Sequence, residues 1–168
     1  MSLPLITFLL LAGASVQTIL AGPAFLGLAE WPVLTALVLC VSLRCVRSRV
    51  LYASLLAGVL NDAFCPAPLG VSLPFFVLLA LGVYAIREEV FGDQIITYVI
   101  LGLLAGLSHV LYFTVVFAAT GLRPFGAGLL MARLFGGLLL GALTTPLIFL
   151  LIGILQSKQT RKSRWIEE

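Results

Sequence analysis

Residues 95–120 read IITYVILGLLAGLSHVLYFTVVFAAT, a run without a single Asp, Glu, Lys or Arg. At 1.5 Å of helical rise per residue, about 20 apolar residues cross a ~30 Å hydrocarbon core. This stretch is long enough to do so as one helix. Outward from it, five more apolar stretches fall at residues 3–21, 32–43, 50–64, 69–86 and 126–155, separated by polar, charged or Gly/Pro segments. Charged residues make up 10% of the 168, and mean hydropathy is +1.18. A water-soluble domain of this size carries far more surface charge. The expected fold is therefore an all-α integral membrane protein with six transmembrane helices. One transmembrane domain is expected over residues 1–156, followed by a basic tail over 157–168.

The net charge of +3 belongs to the segments between helices rather than to a nucleic-acid surface, because no basic stretch is interleaved with aromatics. The cysteines Cys40, Cys45 and Cys65 include no CxxC pair, and the chain has a single His. No metal site or other cofactor is expected, and Cys40 and Cys65 read as small apolar residues within helices. The first charge of either sign is Glu30. A signal peptide opens with basic residues, so the first apolar stretch reads as a retained helix.

Orientation follows from the basic residues. Six helices put both termini on one side, together with the loops at 44–49 and 87–94. That side holds Arg44, Arg47, Arg49, Arg87, Lys158, Arg161, Lys162 and Arg164, and the other holds Arg123. Lys and Arg at helix ends favour the cytoplasm, so both termini are expected there. Pairing like motifs in the two halves, as an inverted-repeat transporter would, fails for Asn61-Asp62, which has no counterpart in the last helix.

Three ionisable residues lie inside the expected spans: Asp62, His109 and Arg133. Each charged one costs about 2.5–3.5 kcal/mol at a helix centre, so such residues face the bundle or a cavity. Asp62 lies about 20 Å along its helix from Arg49, His109 about 22 Å from Gln94, and Arg133 about 14 Å from Pro124. All three thus fall in the outer half of a ~30 Å core. This common depth makes them a candidate polar pocket open to the outer face, with Asp62 and Arg133 as a candidate ion pair. No nucleophile elbow, HExxH pair or phosphate loop is present, so no catalytic residues are assigned.

Small residues four apart occur twice, as Gly102/Gly106 and Gly137/Gly141. Such pairs let helix backbones approach closely where lipid supplies no hydrophobic drive. They are candidates for packing between the last two helices or against a partner. Pro74 and Pro146 are candidate kinks.

The segment GVLNDAFCPAPLG at residues 58–70 places Gly58, Asp62 and Gly70 across a helix end and turn, with Pro66 and Pro68 between them. This pattern resembles the bacterial rod shape-determining protein MreD family. Chain length, the number of apolar stretches, a charged segment near Arg87 and a basic tail after a Pro-containing last helix agree with it. The resemblance implies a non-enzymatic scaffold of the inner-membrane machinery for cell-wall elongation. It implies association with MreC, and membership of one assembly with MreB, RodA and a transpeptidase. It also implies a fold similar to the substrate-binding subunits of energy-coupling-factor transporters. A solute-binding subunit of such a transporter is the alternative function. In the scaffold reading, Gly58, Asp62, Pro66, Pro68 and Gly70 form a structural or partner-binding turn.

Overall fold

The computed structural model describes residues 1–20, 30–64, 70–87, 95–121 and 127–164. Among these the chain is all α, with helices α1 (Leu3–Ile19), α2 (Val33–Arg44), α3 (Arg47–Phe64), α4 (Ser72–Ile86), α5 (Ile95–Ala119) and α6 (Ala127–Arg164). Successive helices run up and down. One end of the bundle carries Arg44, Arg49 and Arg87; the other carries the turn at Gly70–Ser72. The expected turn prolines Pro66 and Pro68, Arg123, and the segment 88–94 lie outside the described residues.

Among the described residues, two helices are long and apolar enough to cross a membrane: Ile95–Ala119 and Gly128–Ile154. Six full-length crossings were expected, and the other helices fall short of that measure. At 1.5 Å per residue, α1 is about 25 Å long, α2 about 18 Å and α4 about 22 Å. In α5 only 28% of the apolar window is buried inside the protein. Ile96, Ile100, Leu104 and Val115 of α5 are exposed, and most of its other residues are only partly covered. A core helix of a soluble protein is mostly covered; α5 and α6 instead present long apolar faces outward.

The shortest helix is the centre of the fold. Every residue of α2 from Val33 to Ser42 is buried, and α2 packs against each of the other five helices. Its low amphipathicity in the sequence follows from this position, since a helix enclosed all round has no polar face to show. Around it, α1 and α3 close one side, α3 pairs with α4, and α5 with α6 forms the most extensive contact.

That contact depends on glycine. A Cβ on Gly102 or on Gly141 would overlap the carbonyl oxygen of the other, and a Cβ on Gly106 would overlap that of Gly137. The two GxxxG motifs therefore face each other across the antiparallel α5–α6 hairpin. Gly58 serves α3 and α4 in the same way: an added Cβ would stand 2.9 Å from the Cα of Leu73.

Several boundaries differ from the sequence reading. The expected loop 44–49 shrinks to Cys45 and Val46, because Arg47 and Arg49 join the first turn of α3; arginine is a good helix former. Helix α4 starts at Ser72 rather than 69, so Pro74 sits in its first turn, where proline is tolerated without a kink. Pro146 lies inside α6, which continues through the expected tail boundary to Arg164.

Candidate functional site: a hydrogen-bonded junction at the turn end

Asp62 lies in the last turn of α3 and is 5% exposed. Its carboxylate accepts two backbone hydrogen bonds. The Gly70 N–H donates to Oδ2 at 2.7 Å, and the Ser72 N–H donates to Oδ1 at 3.0 Å. Ser72 opens α4, and the first N–H groups of any helix lack intrahelical partners. The residue before it, Val71, makes no side-chain cap. Asp62 thus caps α4 from the preceding helix, with its negative charge at the positive end of the α4 dipole. Gly70 makes this possible. Its φ of +91° lies in a region that residues with a Cβ rarely adopt, and it turns the N–H back toward α3.

The neighbouring Asn61 is fully enclosed, at 1% exposure. Its Nδ2 donates to the Ser72 hydroxyl at 2.8 Å, and its Oδ1 accepts from Gln17 Nε2 at 3.3 Å. Gln17 Oε1 accepts the Leu34 N–H at 3.1 Å, which satisfies a free donor at the start of α2. On the other side, the Tyr112 hydroxyl donates to the Val71 carbonyl at 2.8 Å. Side chains of α1, α3 and α5 therefore meet the starts of α2 and α4 at one end of the bundle. In an apolar surround, such satisfied bonds fix geometry because any alternative leaves a polar group unpaired.

His109, at 8% exposure, sits in an aromatic cluster rather than in a pocket with Asp62. Its ring centroid lies 5.3 Å from that of Phe75 and 4.7 Å from that of Phe113. Phe75 also packs on Phe76, Tyr112 and Phe113. Arg133 is half-buried in α6. Helix α3 packs against neither α5 nor α6 among the described residues. The shared depth of Asp62, His109 and Arg133 places them toward the same end, but not in one pocket. The expected Asp62–Arg133 pair gives way to the turn: the nearest donors to a carboxylate at the end of α3 are backbone N–H groups a few residues along the chain.

The arginine end is tied differently. Arg87 donates to the Cys45 carbonyl at 3.0 Å and lies over the Tyr84 ring at 4.1 Å. Arg44 lies 5.3 Å over Phe149, whose ring stacks on Tyr98 at 4.0 Å. Arg49 donates to the Met1 carbonyl at 2.6 Å. Cys40 and Cys45 are buried free thiols, and Cys65 lies outside the described residues.

Beside Asn61, a pocket of about 220 Å³ opens between α1, α2 and α3, lined by Ala14, Gln17, Thr18, Leu20, Glu30, Leu34, Asn61 and Phe64. The sequence reading placed a pocket at this end but from other residues. Gln17 was the missed signal: an amide inside an apolar stretch, which calls for a partner as Asp62 does. No protein-family profile, curated protein or solved structure matches the chain.

Proposed function

We propose that the chain is a non-enzymatic membrane scaffold of the MreD type, associating with MreC in the cell-wall elongation assembly. MreB, RodA and a penicillin-binding transpeptidase belong to the same assembly in this reading. The bilayer is the bacterial inner membrane, with six helices inserted and both termini cytoplasmic. The observation that supports the reading is the junction of Asp62 with Gly70 and Ser72. The residues that carry the resemblance (Gly58, Asp62 and Gly70) each have a task in holding one turn: close approach, capping and chain reversal. Groups used up in shaping a surface suit a protein that presents that surface to another. The long apolar faces of α5 and α6 suit a partner that is itself in the membrane.

Co-purification with tagged MreC from the same bacterium tests this. Wild type should be captured and should restore rod shape to cells lacking their own scaffold. Gly70→Val should lose both while still inserting in the membrane. Full capture and complementation by Gly70→Val would remove the turn from the function. A wild type that never captures MreC, but accumulates a solute together with an ATPase module, would replace the scaffold with the transporter subunit.

A further inference from the structure

Basic residues are divided unequally between the two ends of the bundle. At the turn end, Glu30 and Asp62 match Arg123 and Arg133 in number. The other end receives Arg44, Arg47, Arg49 and Arg87 from α2, α3 and the end of α4, and Lys158, Arg161, Lys162 and Arg164 from α6. Every other acidic residue of the chain can be assigned to that end: Glu88, Glu89, Asp93, Glu167 and Glu168. Eight cations then still face five anions. The surplus does not depend on which of these groups pair with one another.

Helix α6 carries its share of this charge straight out of its apolar part. Arg44 lies 5.3 Å over Phe149, which brings the end of α2 to that turn of α6. The apolar window of α6 ends at Ile154, and the helix runs on to Arg164. At 1.5 Å per residue, Lys158 stands about 6 Å beyond Ile154 and Arg164 about 15 Å beyond it. The headgroup layer of one leaflet is roughly 5–7 Å thick, and charges act over about 8–10 Å at moderate salt. The basic positions of α6 thus fall within electrostatic reach of the surface of a bilayer that α6 crosses.

Apolar groups accompany the cations. Val46 is exposed between Arg44 and Arg47, Ile86 is exposed beside Arg87, and Leu150, Leu151 and Ile154 are exposed just before the basic part of α6. Arg47 itself is exposed. A soluble polyanion would cover the cations and leave these apolar side chains in water. A lipid covers both, with its phosphate on the cation and its acyl chain on the apolar neighbour.

We propose that the arginine end of the bundle, with the extension of α6, binds the headgroup phosphates of anionic glycerophospholipids and gathers these lipids around the protein. This inference rests on the proposed insertion of α6 in the bilayer, and not on the capture of MreC.

The test uses the full chain reconstituted in phosphatidylcholine vesicles, with trace phosphatidylglycerol or phosphatidylcholine spin-labelled on the acyl chain. Electron paramagnetic resonance reads the fraction of each held at the protein surface. Phosphatidylglycerol should be held about fivefold more strongly, the effect of one Lys or Arg near the surface. About 1 M sodium chloride should bring the two lipids close to equality. Arg47→Gln should reduce the preference. Adding Lys158→Gln, Arg161→Gln, Lys162→Gln and Arg164→Gln leaves fewer cations than anions at that end and should abolish it. Arg123→Gln, at the other end, should leave it unchanged. Equal retention of the two lipids would overturn the proposal, as would a preference that survives all five replacements or is lost with Arg123→Gln. Loss of the preference to glycerol phosphate, but not to sodium chloride of equal ionic strength, would mean a site for free phosphate and overturn it too. Alkaline carbonate extraction of cell membranes reads insertion separately. A chain that resists extraction but shows no preference refutes this inference alone; a chain that is washed off refutes the insertion on which it rests.

Discussion

Removing the carboxylate of Asp62 isolates the junction at the turn end. The Ser72 N–H is buried with its residue at 0% exposure, and in Asp62→Ala it has no acceptor from this side chain. Leaving such a donor unpaired costs about 1–3 kcal/mol. The Gly70 N–H belongs to an exposed residue and can find another acceptor, so its loss costs roughly 1 kcal/mol or less. The sum is about 1–4 kcal/mol. For a chain of 150–250 residues, 1 kcal/mol moves the melting temperature by roughly 2–4 °C, which puts Asp62→Ala about 2–16 °C below wild type. Asp62→Asn keeps one acceptor oxygen but turns an NH₂ toward the second donor, so it should lie between the two. Thermal unfolding in nanodiscs, followed by circular dichroism, reads all three. Arg133→Gln combined with Asp62→Asn provides the discriminating cycle. Losses should add within about 0.5 kcal/mol, as for sites that share no partner. A double variant clearly more stable than that sum would mean that Asp62 pairs with Arg133, and the capping account would be wrong. Asp62→Asn melting with wild type would refute it as well.

Gly106→Leu should separate α5 from α6, because its side chain has only the Gly137 backbone to occupy; the cost is about 1–3 kcal/mol or more, read as a lower melting temperature and lower yield. Gly70→Ala has open space around the new methyl, so any destabilisation comes from the positive φ alone; about 1–2 kcal/mol is expected, and no loss would show that the turn relaxes to a negative φ. A single cysteine at Ser48, in a background without the native cysteines, should stay unlabelled by an impermeant reagent added to intact cells. Labelling from outside would invert the proposed orientation.

The helices were legible because apolar runs between Gly, Pro and charged residues leave few other choices. Their ends were less so. Arg47 and Arg49 read as a loop because they are charged, yet arginine extends a helix readily once its side chain can leave the bundle. For Asp62, counting rise along the helix gave the right end of the bundle. It gave no azimuth, and three residues at one depth can face three directions. His109 faces Phe75, and Asp62 faces its own turn. The central place of α2 was hidden for a related reason. A short, uniformly apolar helix looks the same in the sequence whether lipid or protein surrounds it. Gln17 was not singled out in the sequence, although its amide ties α1 to both Leu34 and Asn61.

If all six helices sit in the membrane, as proposed above, the enclosure of α2 has a consequence for how the chain is made. Inserted alone during synthesis, a segment of about 18 Å leaves a ~30 Å bilayer thinned or its own ends stranded. It is comfortable only when its neighbours have arrived, and two of them, α5 and α6, are translated last. Until then one side of α2 stays open to lipid or to the translocation machinery. A ribosome stalled after α4 would therefore release a product whose core helix is unsheltered, a ready mark for membrane proteases. Completion of the glycine-seamed hairpin would be the step that turns a degradable intermediate into a lasting protein.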